Sequence, residues 1–424
     1  MSTIGVLGGR WRATVTPSGA VEPWDGSPSL HWFVAADDRW HVPEDEPTVR
    51  QRRIDGAPVL ETRMKVPNGD AVHRVWCVAD GGGFTVVEVE NDSSLPFAVA
   101  FDRSDLLSSR SPATVPIQGI DLPANSIVLP VGHRATVRVA IAHGSAATRP
   151  VTDPVTDPVK GTLPDHLSGA TQVARGWTSV MDAAGRMILP DLTITEHVAQ
   201  LRGELALRGP AEPGDDVVGF LIDVGQLVRL GERADPWVPD VAAAASQAAR
   251  LEPAWDVLAA LDAAAMVMAR AGEARALRDL SRMRPTLAPP LPPSPPTARE
   301  LIWHEQRLAR VTGAGGAGPT ADLLAAGIPE AWWGANFEVH GLPIGPFSTV
   351  SYAVRWHGDR PAVLWETNAT QTNPRTILTL TAAAVAPGWS TIEAAGEALW
   401  PSPAPSLAPP PSAGVLPAGD VSFT

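Results

Sequence analysis

The stretch VLETRMKVPNGDAVHRVWCVADGGGFTVVEVENDSSLPFAVAF, residues 59–101, decides the fold class. Its apolar and polar residues alternate with period two, the spacing at which successive side chains of an extended strand point to opposite faces. Turn formers interrupt it at Asn68-Gly69-Asp70, Gly81-Gly82-Gly83 and Asn91-Asp92-Ser93, a reversal every 10 to 13 residues. Short strands with regular turns predict antiparallel sheets packed face to face. Outward from this stretch, SIVLPV (126–131) and RATVRVAIAH (134–143) add strands, and residues 1–150 are expected to form an antiparallel β-sandwich.

The duplication VTDPVTDP at 151–158 places prolines and aspartates where an extended linker, 151–165, is expected. From about 191 the period changes. Thr193 with Glu196 fits a capping box, and Ile194, Val198, Leu201 and Leu205 follow at spacings of four, three and four. Val217, Leu221, Val224 and Val228 repeat the pattern, as do Val257, Leu261, Ala264 and Met268. Thr297 with Glu300 fits a second box ahead of WHEQRLARV. Residues 166–334 are therefore expected to be a helical domain, interrupted by the proline run PTLAPPLPPSPP at 285–296.

Strands are expected again over 335–400, and a Pro/Ala/Ser-rich disordered tail over 401–424. In SYAVRWHGDRPAVLWE (351–366), Tyr352, Val354 and Trp356 share one face, and Val363 and Trp365 join them across a two-residue Gly358-Asp359 turn. Pro361 cannot donate to a sheet ladder, which predicts an edge position there. Arg355 and His357 lie on the opposite face, within reach of a ligand or of Glu366.

Composition narrows the function classes. The net charge of −13 comes with scattered basic residues, so no footprint for a polyanion is visible and no nucleic-acid partner is expected. One cysteine, Cys77, excludes an internal disulfide and any multi-Cys zinc site; in mid-strand it reads as a buried, inert thiol. No run of about 20 apolar residues suggests a membrane span, and the N-terminus lacks a signal-peptide core, so a cytoplasmic location is expected. Without a secretion signal, the Asn91-Asp92-Ser93 and Asn368-Ala369-Thr370 acceptor patterns read as chance matches. The 10 histidines form no H-x-H or H-E-x-x-H arrangement, so no metal or cofactor is expected. GAGGAG at 313–318 follows a helical stretch rather than a strand, which argues for a loop and against a dinucleotide site.

The order of β-sandwich, helices and short C-terminal β segment, with the phrases VEVENDSSLPFAVAF (87–101), RGWTSVMDAAGRMILPDLTITEHV (175–198) and PGWSTIEAAGEALW (387–400), resembles actinobacterial relatives of the six-hairpin glycosidases, glucoamylase-like and glycogen-debranching-like. The resemblance implies an (α/α) toroid and a carbohydrate-associated protein that hydrolyses or binds an α-linked glucan or glycoside, with an oligosaccharide or glycan as ligand. A complete toroid of twelve helices needs roughly 300 residues or more. Residues 191–334 hold five to seven helices by pattern, so the expected fold is α+β multidomain with a partial toroid-like layer, which a second copy could complete. A non-enzymatic scaffold or regulatory subunit that keeps this plan is the alternative.

Glycoside hydrolysis needs two carboxylates across the scissile bond, one of them kept protonated. Glu305, Glu252 and Asp216 are the candidates, with Asp215, Asp256 and Glu300 nearby. Asp215, Asp216, Glu252 and Glu300 equally fit first helical turns, where the dipole favours negative charge; Glu305 sits in mid-helix after Trp303-His304. Tryptophan stacks on sugar rings or fills cores. Trp332-Trp333 are the leading ligand-contact candidates, followed by Trp237, Trp303 and Trp255.

Overall fold

The computed structural model describes residues 1–114, 118–143, 163–285, 288–315, 318–369 and 378–403. The duplicated 151–158 segment, Thr370 of the second acceptor pattern and the tail from 404 lie outside the described residues. Over the described residues of 1–143 the regular structure is strand apart from a 3-10 turn at Asp80–Gly82: β1 (Ser2–Gly5), β2 (Arg12–Val15), β3 (Val21–Pro23), β4 (Trp32–Ala35) and β5 (Trp40–His41) come first. Then follow β6 (Arg50–Arg53), β7 (Leu60–Val66), β8 (Gly69–Val78), β9 (Phe84–Ser93), β10 (Phe97–Phe101), β11 (Leu107–Ser108), β12 (Ile127–Val131) and β13 (Thr136–Ala142). They form three sheets ordered β1-β2-β3, β12-β10-β4-β5 and β11-β13-β9-β8-β7-β6.

One core joins the three sheets, with Ile4, Val15, Trp32, Val34, Val75, Val89, Val99 and Leu129 among its members. The period-two reading holds residue by residue in β8. Ala71, Val75 and Cys77 enter this core, while Trp76 and Val78 face a second core on the sheet's other side. Asn91 lies inside β9 rather than at its turn. Fully buried, it donates to the Leu95 and Val131 carbonyls and accepts from the Ser93 amide and hydroxyl, which holds the chain at the reversal into β10.

The helical layer begins at Ala170, well ahead of 191. It comprises α1 (Ala170–Ala183), α2 (Leu192–Arg208), α3 (Val217–Arg229), α4 (Val238–Ala248), α5 (Trp255–Arg270), α6 (Ala274–Met283) and α7 (Glu300–Leu308). Ala170, Ala174, Trp177 and Met181, at helical spacing, lay α1 on the outer face of the sandwich against Trp76, Val78 and Phe84. Neither expected capping box forms. Asp191 caps α2 by accepting from Thr193 N, and α7 is preceded by a 3-10 turn at Thr297–Arg299 with no side-chain cap. The Val217 and Val257 patterns both turn inward: α3, α4, α5 and α6 share one core. Helix α3 is buried nearly all round, so it sits at the centre of the layer.

The expectation of helix through 334 is corrected at Ala309, where strands return. They are β15 (Ala309–Gly315), β16 (Gly318–Leu323), β17 (Phe337–Pro343), β18 (Ser348–His357), β19 (Arg360–Ala369), β20 (Thr379–Thr381), β21 (Ser390–Thr391) and β22 (Ala395–Leu399). Strand β14 (Arg186–Ile188), between α1 and α2, pairs with β17 and opens the sheet β14-β17-β18-β19-β22; the other sheet is β15-β16-β20-β21, with β16 and β20 parallel. Both sheets bury side chains in one core, so the C-terminal part is a two-sheet module rather than a short segment. The expected loop at GAGGAG is corrected: Gly313–Gly315 and Gly318 are paired residues of β15 and β16, and among the described residues no helix follows directly, so the motif does not open a phosphate-cradling helix.

In the β18–β19 hairpin Tyr352 opposes Trp365, Val354 opposes Val363 and Trp356 opposes Pro361. Tyr352 and Trp365 are buried in the C-terminal core, and Trp356 is half-buried against it, so this face is packing. Gly358 takes φ 66°, as the two-residue turn requires. Strand β19 lies between β18 and β22, but Pro361 pairs only with β18 and sits one residue before the β22 ladder begins at Ala362, so this end of the arm is outside that ladder, where the missing N–H is tolerated. On the far face Arg355 pairs with Glu338 rather than Glu366.

Candidate functional site

The concentration of buried charge lies where α2, α3, α5 and α7 meet β15. Glu305, 2% exposed, is its centre. Its Oε1 accepts from Arg202 Nη2 at 2.6 Å; its Oε2 accepts from Arg229 Nη1 at 2.6 Å and Gln226 Nε2 at 2.7 Å. Arg202, on α2, also donates to the carbonyls of Met181, Ala184 and Gly185, the open C-terminal end of α1, where a cation is favoured. Gly185 has φ 113°, and a Cβ there would stand 3.0 Å from Leu342 Cδ2 and 3.3 Å from Arg229 Nη2. Only glycine satisfies both the backbone turn and the close approach.

Burial by itself would raise the Glu305 carboxyl, but the charges of Arg229 and Arg202 and their hydrogen bonds outweigh it, holding the group below its ordinary range. Arg229 is lowered by the same desolvation. Across the layer Asp262 of α5 behaves oppositely. Desolvation by burial pushes it up, outweighing Arg284, which holds both carboxylate oxygens at 2.6 and 3.0 Å. Some 29% of the Asp262 side chain remains open, and the residue lines the cavity described next.

A cavity of about 60 Å³ opens between these elements, and its polar lining is Gln226, Arg229, Asp262, Glu305, Gln306 and Arg310. Alanines and Met266 of α5, with Ile222 and Ile302, complete the wall. A water occupies roughly 10–15 Å³ on a comparable measure, so the space admits about four or five small atoms. Drug-sized ligand pockets run to about 300–1,000 Å³, well above this. Three buried polar atoms of the lining residues, Gln226 Oε1, Arg229 Nη2 and Gln306 Oε1, have no hydrogen-bond partner among the described residues. Each orphan costs about 1–3 kcal/mol unless something polar reaches it.

Of the residues singled out from sequence, Glu305 alone enters this site. Asp216 is the N-cap of α3, accepting from Gly219 N at 2.9 Å and held by both Arg299 amino groups at 2.8 and 2.6 Å. Asp256 joins the same arginine, Glu252 is exposed in the loop before α5, and Glu300 pairs with His197. The tryptophans are committed elsewhere. Trp303 and Trp332 are buried and flank the Arg307 guanidinium, 5.0 and 5.4 Å from its carbon, while Trp303 Nε1 donates to Pro292 O. Trp333 donates to Ile328 O, Trp237 packs edge-on against Phe220, and Trp255 opens α5 half-buried. Among the described residues no tryptophan lines the cavity.

Arg202, Gln226, Arg229, Asp262, Gln306 and Arg310 were missed. A signal existed for two of them: Gln226 and Arg229 stand in VVGFLIDVGQLVRL, where, with Asp223, they are the polar residues of an otherwise apolar helix. Cys77 is buried, its thiol pushed up to about 12 by desolvation, and takes no part. Among the described residues no group of three or more His, Cys, Asp or Glu could hold a metal ion, and no helix is long and apolar enough to cross a membrane. No protein-family model matches the chain, and no curated protein matches it.

Proposed function

We propose that this chain is a six-hairpin-glycosidase-like protein whose partial toroid-like helical layer no longer turns over sugar and serves as a non-enzymatic scaffold between two β modules. One observation carries it: both oxygens of Glu305 are taken by Arg202, Arg229 and Gln226, and both oxygens of Asp262 by Arg284. A general acid must hold a proton near neutral pH, and a nucleophile must present a free lone pair to the ring carbon. Glu305 is held ionised and enclosed, which suits neither task. Successive packing of α3, α4, α5 and α6 around one core supports the toroid-like description. On the same proposal the protein works in the cytoplasm, a glycan is the ligand class to examine, and a second copy would extend the helical layer.

Turnover is the second reading, favoured by a specific feature. Asp262 and Glu305 line one cavity, and their surroundings push their proton affinities apart, the pattern of an acid and its ionised partner. A panel of fluorogenic glycosides and α-glucan oligosaccharides, incubated with purified protein, decides between them. The scaffold predicts no released sugar from any member. Release that disappears in Asp262→Asn or Glu305→Gln establishes hydrolysis instead.

A further inference from the structure

We propose that Arg307, whose guanidinium lies over the rings of Trp303 and Trp332, is the contact for a ligand carboxylate at the surface between α7 and the 3-10 turn Glu330–Trp332. An unanswered charge is the first reason. Burial holds Arg12, Arg53, Arg229, Arg307 and Arg310 below the ordinary proton affinity of arginine. The other four direct donors to the protein: Arg12 to the Leu207 and Gly9 carbonyls, Arg53 to Glu204, Arg229 to Glu305 and Arg310 to the Pro289 carbonyl. Arg307 is the exception. Among the described residues no carboxylate pairs with it and no hydrogen bond engages it. Apart from burial, the influence on its charge comes from the Tyr352 hydroxyl, which itself donates to the Leu308 carbonyl. The field of Arg307 reaches His304 on the same helix, whose proton affinity is pushed down to about 4 by burial first and by Arg307 next.

Accessibility is the second reason. Trp303 and Trp332 are 6% and 3% exposed, so packing fixes the rings that carry the cation, and Trp303 is held further by its bond to the Pro292 carbonyl. Arg307 is half-buried, and its three nitrogens remain open to water. The indole faces attract the cation but offer no lone pair to its N–H groups, which lie in the guanidinium plane. A planar carboxylate accepts two of those N–H groups in parallel and brings the one negative charge that is wanted. A neutral hydroxyl leaves the charge unanswered, and chloride cannot span the fork. Phosphate brings more than one charge at neutral pH, with one cation to meet it, in a chain whose net charge is −13.

Titration calorimetry on the full chain at fixed ionic strength tests this, with sodium acetate, glucuronate and N-acetylglutamate as probes and sodium chloride and phosphate as comparisons. Saturable binding of at least one carboxylate is expected, with a Kd of about 1 mM for a single fork contact. Arg307→Lys keeps a cation over the rings without the fork and should weaken binding about ten-fold; Arg307→Gln should abolish it. Near-ultraviolet circular dichroism shows whether the tryptophan packing is kept, and the lysine variant decides the matter if the glutamine variant fails to fold. Tightest binding of glucuronate assigns the carrier to an acidic sugar, of N-acetylglutamate to an acidic amino acid, and of acetate to a small free acid; each supports the shared carboxylate chemistry. No saturable heat from any of the three, phosphate bound more tightly than all of them, or unchanged binding in either folded variant would each overturn the proposal. None of these heats depends on turnover, so failure here leaves the scaffold reading standing, and sugar release would count against the scaffold alone.

Discussion

Glu305→Gln is the most informative single change. It conserves volume but removes the one negative charge between Arg202, 2% exposed, and Arg229, 6% exposed. The amide can accept at one end only, so its nitrogen must face a guanidinium, donor against donor. Removing one member of a buried ion pair costs about 3–5 kcal/mol, and here two cations lose the same partner. Against a typical total stability of about 5–15 kcal/mol this is severe. Urea unfolding followed by circular dichroism at pH 7 measures it. The pH dependence supplies a second check. Glu305 is held below its ordinary value of 4.5 in the fold, so its contribution is present above that value and is lost as pH falls toward the folded-state value. The glutamine does not titrate. The stability gap between wild type and variant is therefore full at pH 7 and narrows below about 4.5. A gap under about 1 kcal/mol at pH 7, or one that does not narrow on acidification, refutes the claim that Glu305 ties the layer together.

Three further outcomes follow from local geometry. Gly69→Ala should lower the melting temperature and cost about 1–3 kcal/mol in chemical denaturation, because its Cβ would strike the Asp92 carbonyl and stand 2.5 Å from Ser93 Cα across the β8–β9 ladder; a neutral result would mean the strands are further apart than described. Trp365→Ala, emptying a site only 7% exposed, should cost about 3–5 kcal/mol, and the half-buried Trp356→Ala distinctly less; equal losses by differential scanning calorimetry would contradict that ranking. His31 hydrogen-bonds Asp102 at 2.6 Å, which raises its proton affinity above the ordinary 6.5. Its stabilising effect is complete below that value and is lost as pH rises through the folded-state value, so proton NMR should place its midpoint above 6.5 and Asp102→Asn should bring it down.

The sandwich was legible through the turn formers that bound β7, β8 and β9 and through their apolar residues, but not through one-sided burial: both faces of β8 are covered, Ala71, Val75 and Cys77 by one core and Trp76 and Val78 by another. Helices α3 and α5 were legible because apolar residues recur in them at period 3.6, even though α3 is buried nearly all round. Helix α1 was not, since two of its four buried positions are Ala170 and Ala174, and alanine carries no strong sign of burial. The hairpin β15–β16 was hidden by its glycines and alanines, whose strand state depends on a partner rather than on intrinsic preference. The site was harder still. Glu305 finds its three partners 76, 79 and 103 residues away, so spacing along the chain says nothing of them. Its position in mid-helix marked it as unlike the capping acids, and that much could be read.

Helix α2 explains why so much charge is buried at one junction. Ala199 and Leu207 of α2 pack with the sandwich side, and Val198 enters the C-terminal core, so the helix touches both β modules. Its polar residues tie it in three directions: Glu204 to Arg53 on β6, Arg208 to Thr3 on β1, and Arg202 to Glu305 on α7. Apolar contact alone is non-directional and would let a helix wedged between two sheets slide or rotate at little cost. Hydrogen-bonded charge pairs have fixed partners and steep distance dependence, so they can hold the helix in one register even where they add little net stability. A catalytic carboxylate has the opposite requirement, a free lone pair and room for substrate. Glu305 cannot meet both, and its three donors occupy both of its oxygens, the arrangement that holding the helix in register requires.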